Sequence, residues 1–223
     1  MNSNFNNRNR QLRKYSKLDL LLMGVISLFY IFGAIQLGQP ETKLFYSGMT
    51  PFVLLFSLLF LAFYDRTRQK GMLIFLSVLV AVSSFGVEVW GVATGEVFGS
   101  YAYGEELGIK IAGTPLLIGL NWVLLLYLTA AMCSFMPRNF LSWIILPSAL
   151  MLIYDIVMEQ VAPRMDMWSW GGDVIPIQNY VVWGVLALIF HTLRYVMNVD
   201  IRNRMATFLF SIQVLFFLII LVV

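Results

Sequence analysis

Two carboxylic acids interrupt apolar stretches of this chain, and they are the first residues to which chemistry can be assigned. Glu88 lies in "VSSFGVEVWGV", and Asp155 lies in "LMLIYDIVME". Glu159 follows Asp155 by one turn of a helix, so the two would share a helix face. A carboxylate within a hydrophobic helix costs about 2.5–3.5 kcal/mol at the centre of a bilayer, so such residues usually face a bundle interior or a wet cavity. The simpler interpretation is an acid at a membrane interface that reaches water.

Aromatic and amide side chains accompany both acids. Each acid is followed by a long connection with a pair of aromatic residues, then by a proline, an asparagine and a tryptophan. This weak internal parallel predicts that the two stretches converge at one pocket. Connections longer than about 12–15 residues are usually functional or disordered, and the aromatic content favours an ordered lid with both pairs turned inward. The candidate binding residues are Tyr101, Tyr103, Asn121, Trp122, Trp168, Trp170, Asn179 and Trp183.

The composition indicates which elements position these residues. The chain has 223 residues, of which 60% are hydrophobic and 12% are charged, whereas soluble domains have roughly 45–50% apolar and about 25% charged residues. Runs long enough to cross a bilayer must satisfy their backbone internally, which indicates helices. We therefore predict an all-α, polytopic integral membrane protein with seven transmembrane helices. The predicted spans are Leu18–Leu37, Met49–Tyr64, Gly71–Val92, Pro115–Met132, Leu141–Met158, Tyr180–Met197 and Met205–Val223.

The basic residues predict the orientation of these spans. All but three of the 15 Lys and Arg residues fall in segments on one side, and basic residues favour the cytoplasmic side. We expect a multi-pass protein of the plasma membrane with a cytoplasmic amino terminus and an outer carboxyl terminus. Residues 1–17 are predicted to be a disordered polar tail, and residues 18–223 a single seven-helix domain. The basic residues line no single face, so we expect no nucleic-acid partner.

Cys133 and His191 are the only cysteine and the only histidine of the chain. A lone cysteine excludes an internal disulfide and a cysteine metal cluster, and a lone histidine cannot make a histidine metal site. We expect packing roles for both residues, and we expect no metal or other cofactor.

Several motifs, taken in order, resemble those of a known family. They are "EVWGVATGEVFGSYAY", "GTPLLIGLNW", "DIVMEQVAP", "WSW" and "PIQNYVVW". Over roughly Gly71 to Val196, the chain resembles the carotenoid biosynthesis membrane proteins that include the CruF-type carotenoid 1,2-hydratases. It departs from the family pattern at Gly119, where a proline is expected, and at Glu159, where aspartate is common. The resemblance implies a membrane enzyme without a redox cofactor that acts on a lycopene-like or monocyclic carotenoid.

Hydration of an isolated terminal alkene requires a proton delivered to carbon, a tertiary cation and a captured water molecule. Burial and a neighbouring carboxylate favour the neutral, proton-donating form of a carboxyl. We therefore expect Asp155 to be the acid and Glu88 to hold the water or restore the proton, with Glu159 nearer to water and less important. Indole faces would steady the cation, and Asn121 or Asn179 would position the water.

Two alternatives remain open. The same cation can be trapped by an internal alkene when water is excluded, so a carotene end-group cyclase or another protonation-initiated prenoid enzyme fits the same residues. The other alternative is a non-enzymatic seven-helix carrier or assembly protein, in which the aromatic residues pack or form an interfacial belt. The seventh run, "MATFLFSIQVLFFLIILVV", has no lysine for a retinal Schiff base. The sequence does not indicate the oligomeric state.

Overall fold

Seven long helices make up most of the structure. In the computed structural model, which describes residues 15–223, each long helix overlaps one of the predicted hydrophobic runs. The prediction of a mainly helical protein is therefore confirmed, whereas residues 1–14 of the predicted tail lie outside the described residues. The helices are α1 (Lys17–Leu37), α2 (Thr50–Tyr64), α3 (Lys70–Thr94), α4 (Leu117–Cys133), α5 (Leu146–Glu159), α6 (Ile177–Val196) and α7 (Ala206–Val222).

Short helical segments adjoin the long helices. A one-turn helix at Lys43–Ser47 precedes α2, and a π-helical segment, Leu141–Ile145, runs directly into α5. Two 3₁₀ turns, Ala162–Met165 and Gly171–Asp173, divide the connection between α5 and α6. The predicted fifth span thus corresponds to the π-helical segment together with α5.

In the part of the chain that the structure describes, four helical segments are long and apolar enough to cross a membrane: Lys17–Leu37, Phe45–Tyr64, Lys70–Thr94 and Leu141–Glu159. Helices α4 and α7 are also apolar but shorter. Large apolar side chains cover the outside of α1 and α2, as Leu28 and Phe63 do with 70% and 78% of their surface exposed. Such a surface is suited to a lipid environment. The arrangement of seven spans and the orientation of the termini stay predictions.

Helix α4 lies at the centre of the bundle. It contacts α2, α3, α5, α6 and α7, and most of its residues are buried. A helix that is apolar on all sides is typical of such a position. At Gly119 the backbone of α4 lies against α3, where a Cβ would stand 2.6 Å from the carbonyl oxygen of Ala81. The glycine at this departure from the family pattern therefore permits a close α3–α4 crossing, which brings Trp122 to Glu88.

Short β-strands, which the all-α prediction omitted, lie in the two long connections. Strand β1 pairs antiparallel with β4, so that Tyr101 lies opposite Trp170 and Tyr103 opposite Trp168. Strands β2 and β3 form a second small ladder. Alternate side chains point to opposite faces of a strand, so "YAY" and "WSW" each place both aromatic side chains on one face. The strands are β1 (Tyr101–Tyr103), β2 (Lys110–Ile111), β3 (Thr114–Pro115) and β4 (Trp168–Trp170).

Candidate active site

Glu88 is buried near the C-terminal end of α3 and accepts three hydrogen bonds. Gly95 caps the C-terminus of α3 with a φ of 69°, which lies in the left-handed region that favours glycine, and the chain then returns as β1. The hydroxyls of Tyr101 and Tyr103 donate to Glu88 Oε2 at 2.7 and 2.8 Å. The indole Nε1–H of Trp122 donates to Oε1 at 3.1 Å. Donors from β1 and α4 therefore fix this carboxyl in place.

The two phenols that contact Glu88 remain proton donors. Burial, and after it the negative charge of Glu88, raises the pKa of Tyr101 and the pKa of Tyr103 above the ordinary value. Both hydroxyls therefore keep their protons at neutral pH. Each one can serve a carboxylate acceptor as a hydrogen-bond donor.

Glu159 ends α5 and is held in a similar way. The indole N–H groups of Trp168 and Trp170 donate to Glu159 Oε2 at 3.0 and 2.8 Å. The amide of Asn179 donates to Oε1 at 2.9 Å. Glu159 is only 2% exposed, against 0% for Asp155, so it is shielded from bulk solvent, and its lesser importance stays a prediction. The physical reason is that β4 and the start of α6 pack over the end of α5 and exclude solvent.

These contacts make Glu159, rather than Asp155, the counterpart of Glu88. The aromatic pair that follows each acid in the sequence is the pair that binds it, and the two pairs lie opposite each other in the β1–β4 ladder. Across the ladder, the rings of Tyr101 and Trp170 are 5.1 Å apart. Both aromatic pairs turn inward, as the sequence predicted. The ladder joins the two acids into one cluster, which we call the acid pair (Glu88 and Glu159).

A very small enclosed space lies between the two members of the acid pair. Its volume is about 10 Å³, and its walls also include Tyr103, Trp170 and Asn179. A cavity needs about 10–15 Å³ to hold one water molecule, together with polar partners. The space is therefore close to the lower limit for a single water. A larger ligand can enter only if the surrounding side chains move.

Trp122 and Trp183 stack beside the acid pair. Their ring centroids are 3.8 Å apart with an angle of 16° between the planes, and Phe190 meets Trp122 edge-on at 5.7 Å. The two tryptophans follow Pro115 and Pro176 at the same spacing in the sequence. Trp183 lines the enclosed space, and Trp122 bonds Glu88. The stack therefore connects α4 and α6 at the site.

Asp155 lies on α5 one turn before Glu159, in different surroundings. It is fully buried, and neither of its carboxyl oxygens has a hydrogen-bond partner among the described residues. It is not among the side chains that line the enclosed space. An ionised carboxylate in such a position would be costly, because nothing compensates for the water it loses. The structure thus contains two bonded acids and one unbonded acid close to the end of α5.

A larger cavity, which we call the apolar groove, runs along the other side of α4 and α5. Its volume is about 100 Å³, and it is lined mainly by apolar side chains of α1, α2, α4, α5 and α7. Asn121 faces this groove, whereas its neighbour Trp122 contacts Glu88, since successive helix residues point in different directions. Met158 and Met167, the residues before Glu159 and Trp168, also line the groove. One layer of side chains therefore separates the groove from the acid pair.

Sequence reasoning missed a polar cluster in the wall of the apolar groove. The Gln213 amide donates to the Tyr30 hydroxyl at 3.2 Å and to Ser57 Oγ at 3.3 Å, and it accepts from the Tyr154 hydroxyl at 3.3 Å. The four residues come from α1, α2, α5 and α7. Hydrogen bonds of this kind hold apolar helices together. The feature of the sequence that could have indicated this cluster is Gln213, the one amide in the very apolar α7.

A family model described as "Carotenoid biosynthesis protein" matches residues 48–223. No curated protein and no solved structure matches the chain. The matched range includes every candidate site residue. Within residues 15–223, no group of three or more His, Cys, Asp or Glu side chains is placed to hold a metal ion.

Proposed function

Because the chain belongs to the carotenoid biosynthesis protein family, we propose that it is a carotenoid 1,2-hydratase, which adds water to the terminal double bond of an acyclic end group. The observation that carries this proposal is the space for about one water molecule between two buried carboxyls. Glu88 and Glu159 offer acceptors to a bound water from both sides. The family membership makes the substrate a carotenoid or a related prenoid.

Protonation of the alkene is the first step of the proposed reaction. The π electrons of the terminal double bond take a proton at the less substituted carbon, and a tertiary cation forms at the other carbon. We assign the proton to Asp155, one helical turn from Glu159, because an unbonded, buried carboxyl is far less costly when neutral. Since Asp155 does not line the enclosed space, the end group reaches it only when the surrounding side chains move. Asp155 is thereby ionised beside Glu159, and the developing positive charge of the cation offsets that cost.

Water capture is the second step. The oxygen of the water bound at the acid pair forms a bond to the cationic carbon, and the water loses a proton to Glu88 or Glu159. A proton then returns to Asp155, so the enzyme is unchanged and the substrate has gained one water molecule. No electrons are transferred to or from the substrate. Asn179, whose amide already bonds Glu159, helps to position the water.

Aromatic rings stabilise the cation in this proposal. Tyr101, Trp170 and Trp183 line the enclosed space, and the faces of such rings attract a positive charge within about 6 Å. Trp168 and Tyr103 orient the carboxyls through their hydrogen bonds. For the end group to bind, the β1–β4 ladder must move away from the helix ends.

The apolar groove is the proposed site for the long hydrocarbon chain of the substrate. It is apolar and adjacent to the acid pair, and its edge carries Phe29 and Phe32, which are about half exposed. Such an edge allows a chain dissolved in lipid to enter from the side. Asn121 in the groove wall and Trp122 at the acid pair are consecutive residues, so a chain in the groove would pass close to the site.

Filling the apolar groove is expected to reduce carotenoid conversion. Gly33 lines the groove on α1, and a Cβ there would meet only the ring of Phe216 at 4.0 Å, so Gly33→Leu places a side chain in the groove without a backbone clash. We expect about a tenfold lower product-to-substrate ratio, the effect of about 1.4 kcal/mol of lost binding. Gly24→Leu, on the same helix with no atom within 4 Å, is the matched control. Equal ratios in the two variants would contradict the groove assignment.

We propose that the protein crosses the plasma membrane seven times, with its amino terminus in the cytoplasm and the acid pair near the outer surface. The apolar helices and the distribution of basic residues support this topology. Reporter fusions at Arg68 and Glu105 are expected to lie on opposite sides of the membrane. Two fusions on the same side would contradict the topology.

Expression in a lycopene-producing host, followed by mass analysis of the pigments, tests the proposed activity. A hydratase yields a product heavier than the substrate by one water molecule. A cyclase yields an isomer of unchanged mass, and this second candidate is favoured by the enclosure of the site, because exclusion of water leaves an internal alkene to trap the cation. Unchanged pigments, with the protein present in the membrane, would favour a carrier or assembly protein.

A further inference from the structure

A large pocket lined by several charged side chains lies at the opposite end of the bundle from the acid pair. Its volume is about 580 Å³. It is formed by the start of α3, the connection between α4 and α5, and the connection between α6 and α7. Helix α3 runs from this pocket to Glu88, a distance of roughly 27 Å at 1.5 Å per residue. The proposed hydratase chemistry uses none of the pocket's residues, so the pocket requires a separate explanation.

Positive charge predominates in this pocket. Arg68, Arg138 and Arg202 line it, and Asp200 is the one acid among the lining residues. Arg202 Nε donates to Asp200 Oδ2 at 2.7 Å, which leaves two guanidinium groups without a carboxylate partner among the described residues. Guanidinium groups converging on a cavity are typical of sites for phosphate, which accepts several of their hydrogen bonds at once.

Arg138 is held in place for such a role. Its Nη2 donates to the carbonyl oxygen of Tyr195 at 2.7 Å, and its guanidinium lies over the rings of Tyr195 and Trp143 at 4.6 and 5.1 Å. The buried Arg194 lies over Trp143 as well, at 4.5 Å. Packing of this kind restricts the side chain before any ligand arrives, which lowers the entropy cost of binding.

Three polar atoms beside the pocket are buried and have no hydrogen-bond partner among the described residues. Trp143, which lines the pocket and is 4% exposed, has no acceptor for its indole N–H among the described residues. Arg194 Nε, behind the same ring, also lacks an acceptor, and Asp200 Oδ1 lacks a donor. Buried polar groups are rarely left unpaired, since each unpaired group costs about 1–3 kcal/mol. These three atoms are covered in the structure, so a ligand with phosphate oxygens and a hydroxyl pairs with them only if the side chains around them rearrange.

We propose that this pocket, the basic pocket, binds the phosphate group of an anionic membrane lipid whose headgroup also carries hydroxyls. Phe140 and Leu141, in the connection that forms one wall, are 64% and 65% exposed and provide an apolar surface for the lipid chains. Basic pockets between membrane helices bind lipid headgroups by this combination of charge and apolar contact. Phosphatidylglycerol has the required phosphate and hydroxyls, whereas phosphatidylcholine carries a compensating positive charge and no hydroxyl.

The test uses purified full-length protein in detergent. Native mass spectrometry measures retention of phosphatidylglycerol against phosphatidylcholine with the same acyl chains, and equilibrium dialysis measures binding of inorganic phosphate. Arg68→Gln and Arg138→Gln are each expected to weaken phosphatidylglycerol binding by about tenfold, the loss of one charge-assisted contact. Arg66→Gln is the matched control, because Arg66 is exposed, close in sequence and outside the pocket lining.

Three outcomes decide the proposal. Preference for phosphatidylglycerol that is lost in Arg68→Gln and Arg138→Gln, and kept in Arg66→Gln, supports it. Binding of inorganic phosphate with the same pattern, but without preference between the lipids, would overturn the lipid assignment in favour of a soluble phosphate compound. Equal lipid retention in all three variants would overturn the basic pocket as a binding site. Arg68 is exposed and makes no hydrogen bond or ion pair within the described residues, so its replacement does not threaten folding.

Discussion

The Asp155→Asn variant is expected to form no detectable hydrated carotenoid while it accumulates in the membrane at the normal level. An amide has the shape of a carboxyl but cannot deliver a proton to carbon, and general acid catalysis contributes about 10²–10⁴-fold to a rate. Both oxygens of Asp155 lack hydrogen-bond partners among the described residues, so the substitution breaks no bond that stabilises the fold. Pigment mass analysis, normalised to the amount of membrane protein, measures the loss.

Asp173→Asn is the matched control for this prediction. Asp173 is exposed, and its φ of 54° is a left-handed conformation that asparagine tolerates well. A control variant with normal product formation would show that the chemical change itself is harmless away from the site. Full activity in a well-expressed Asp155→Asn variant would remove Asp155 from the mechanism and move the acid to the acid pair.

The positions of the helices could be predicted from the sequence because one strong physical requirement sets them. A run of apolar residues that must satisfy its own backbone hydrogen bonds becomes a helix, and the seven runs correspond to α1–α7. The aromatic pairs of the two connections were also identifiable, since the large apolar surfaces of tyrosine and tryptophan favour burial. Their inward orientation follows from the area they bury.

The partners of each acid could not be predicted, because they depend on contacts between distant parts of the chain. The β1–β4 ladder joins two connections through strands of three residues each, too short for any periodic pattern to detect. Without the ladder, Glu159 at the end of α5 has the pattern of an acid facing water. The ladder, together with Asn179, converts it into a buried acceptor of three hydrogen bonds.

The sequence pattern also could not predict the direction in which individual side chains of α4 point. Asn121 and Trp122 are consecutive, yet one lines the apolar groove and the other bonds Glu88. Successive residues of a helix differ by about 100° in direction, so a rotation of α4 by that angle would exchange their positions. Since α4 is apolar on all sides, no amphipathic pattern fixes that orientation. It is set by contacts such as that of Gly119 with the backbone of Ala81.

The acid pair leads to a second prediction, in which Glu88→Gln and Glu159→Gln each reduce product formation by about 10²–10⁴-fold. In the proposed mechanism both carboxylates hold the water and one of them takes its proton; an amide can still bond a water but cannot accept that proton. Glutamine is a better test than alanine, because alanine would leave three buried donors unpaired at either position, at about 1–3 kcal/mol for each. Glu96→Gln is the control, since Glu96 is exposed just beyond the end of α3.

We expect both glutamine variants to fold, and the hydrogen bonds that permit this differ between the two positions. At Glu88 the new amide N–H groups face the hydroxyls of Tyr101 and Tyr103, which can accept as well as donate hydrogen bonds. At Glu159 the amide oxygen can accept from both indoles, and Asn179 can rotate its amide to accept from the new N–H. Thermal unfolding midpoints near that of the unmodified protein, with product lost in both variants, are therefore expected. Normal product formation in either variant would exclude that carboxyl from water activation and limit it to positioning its aromatic partners.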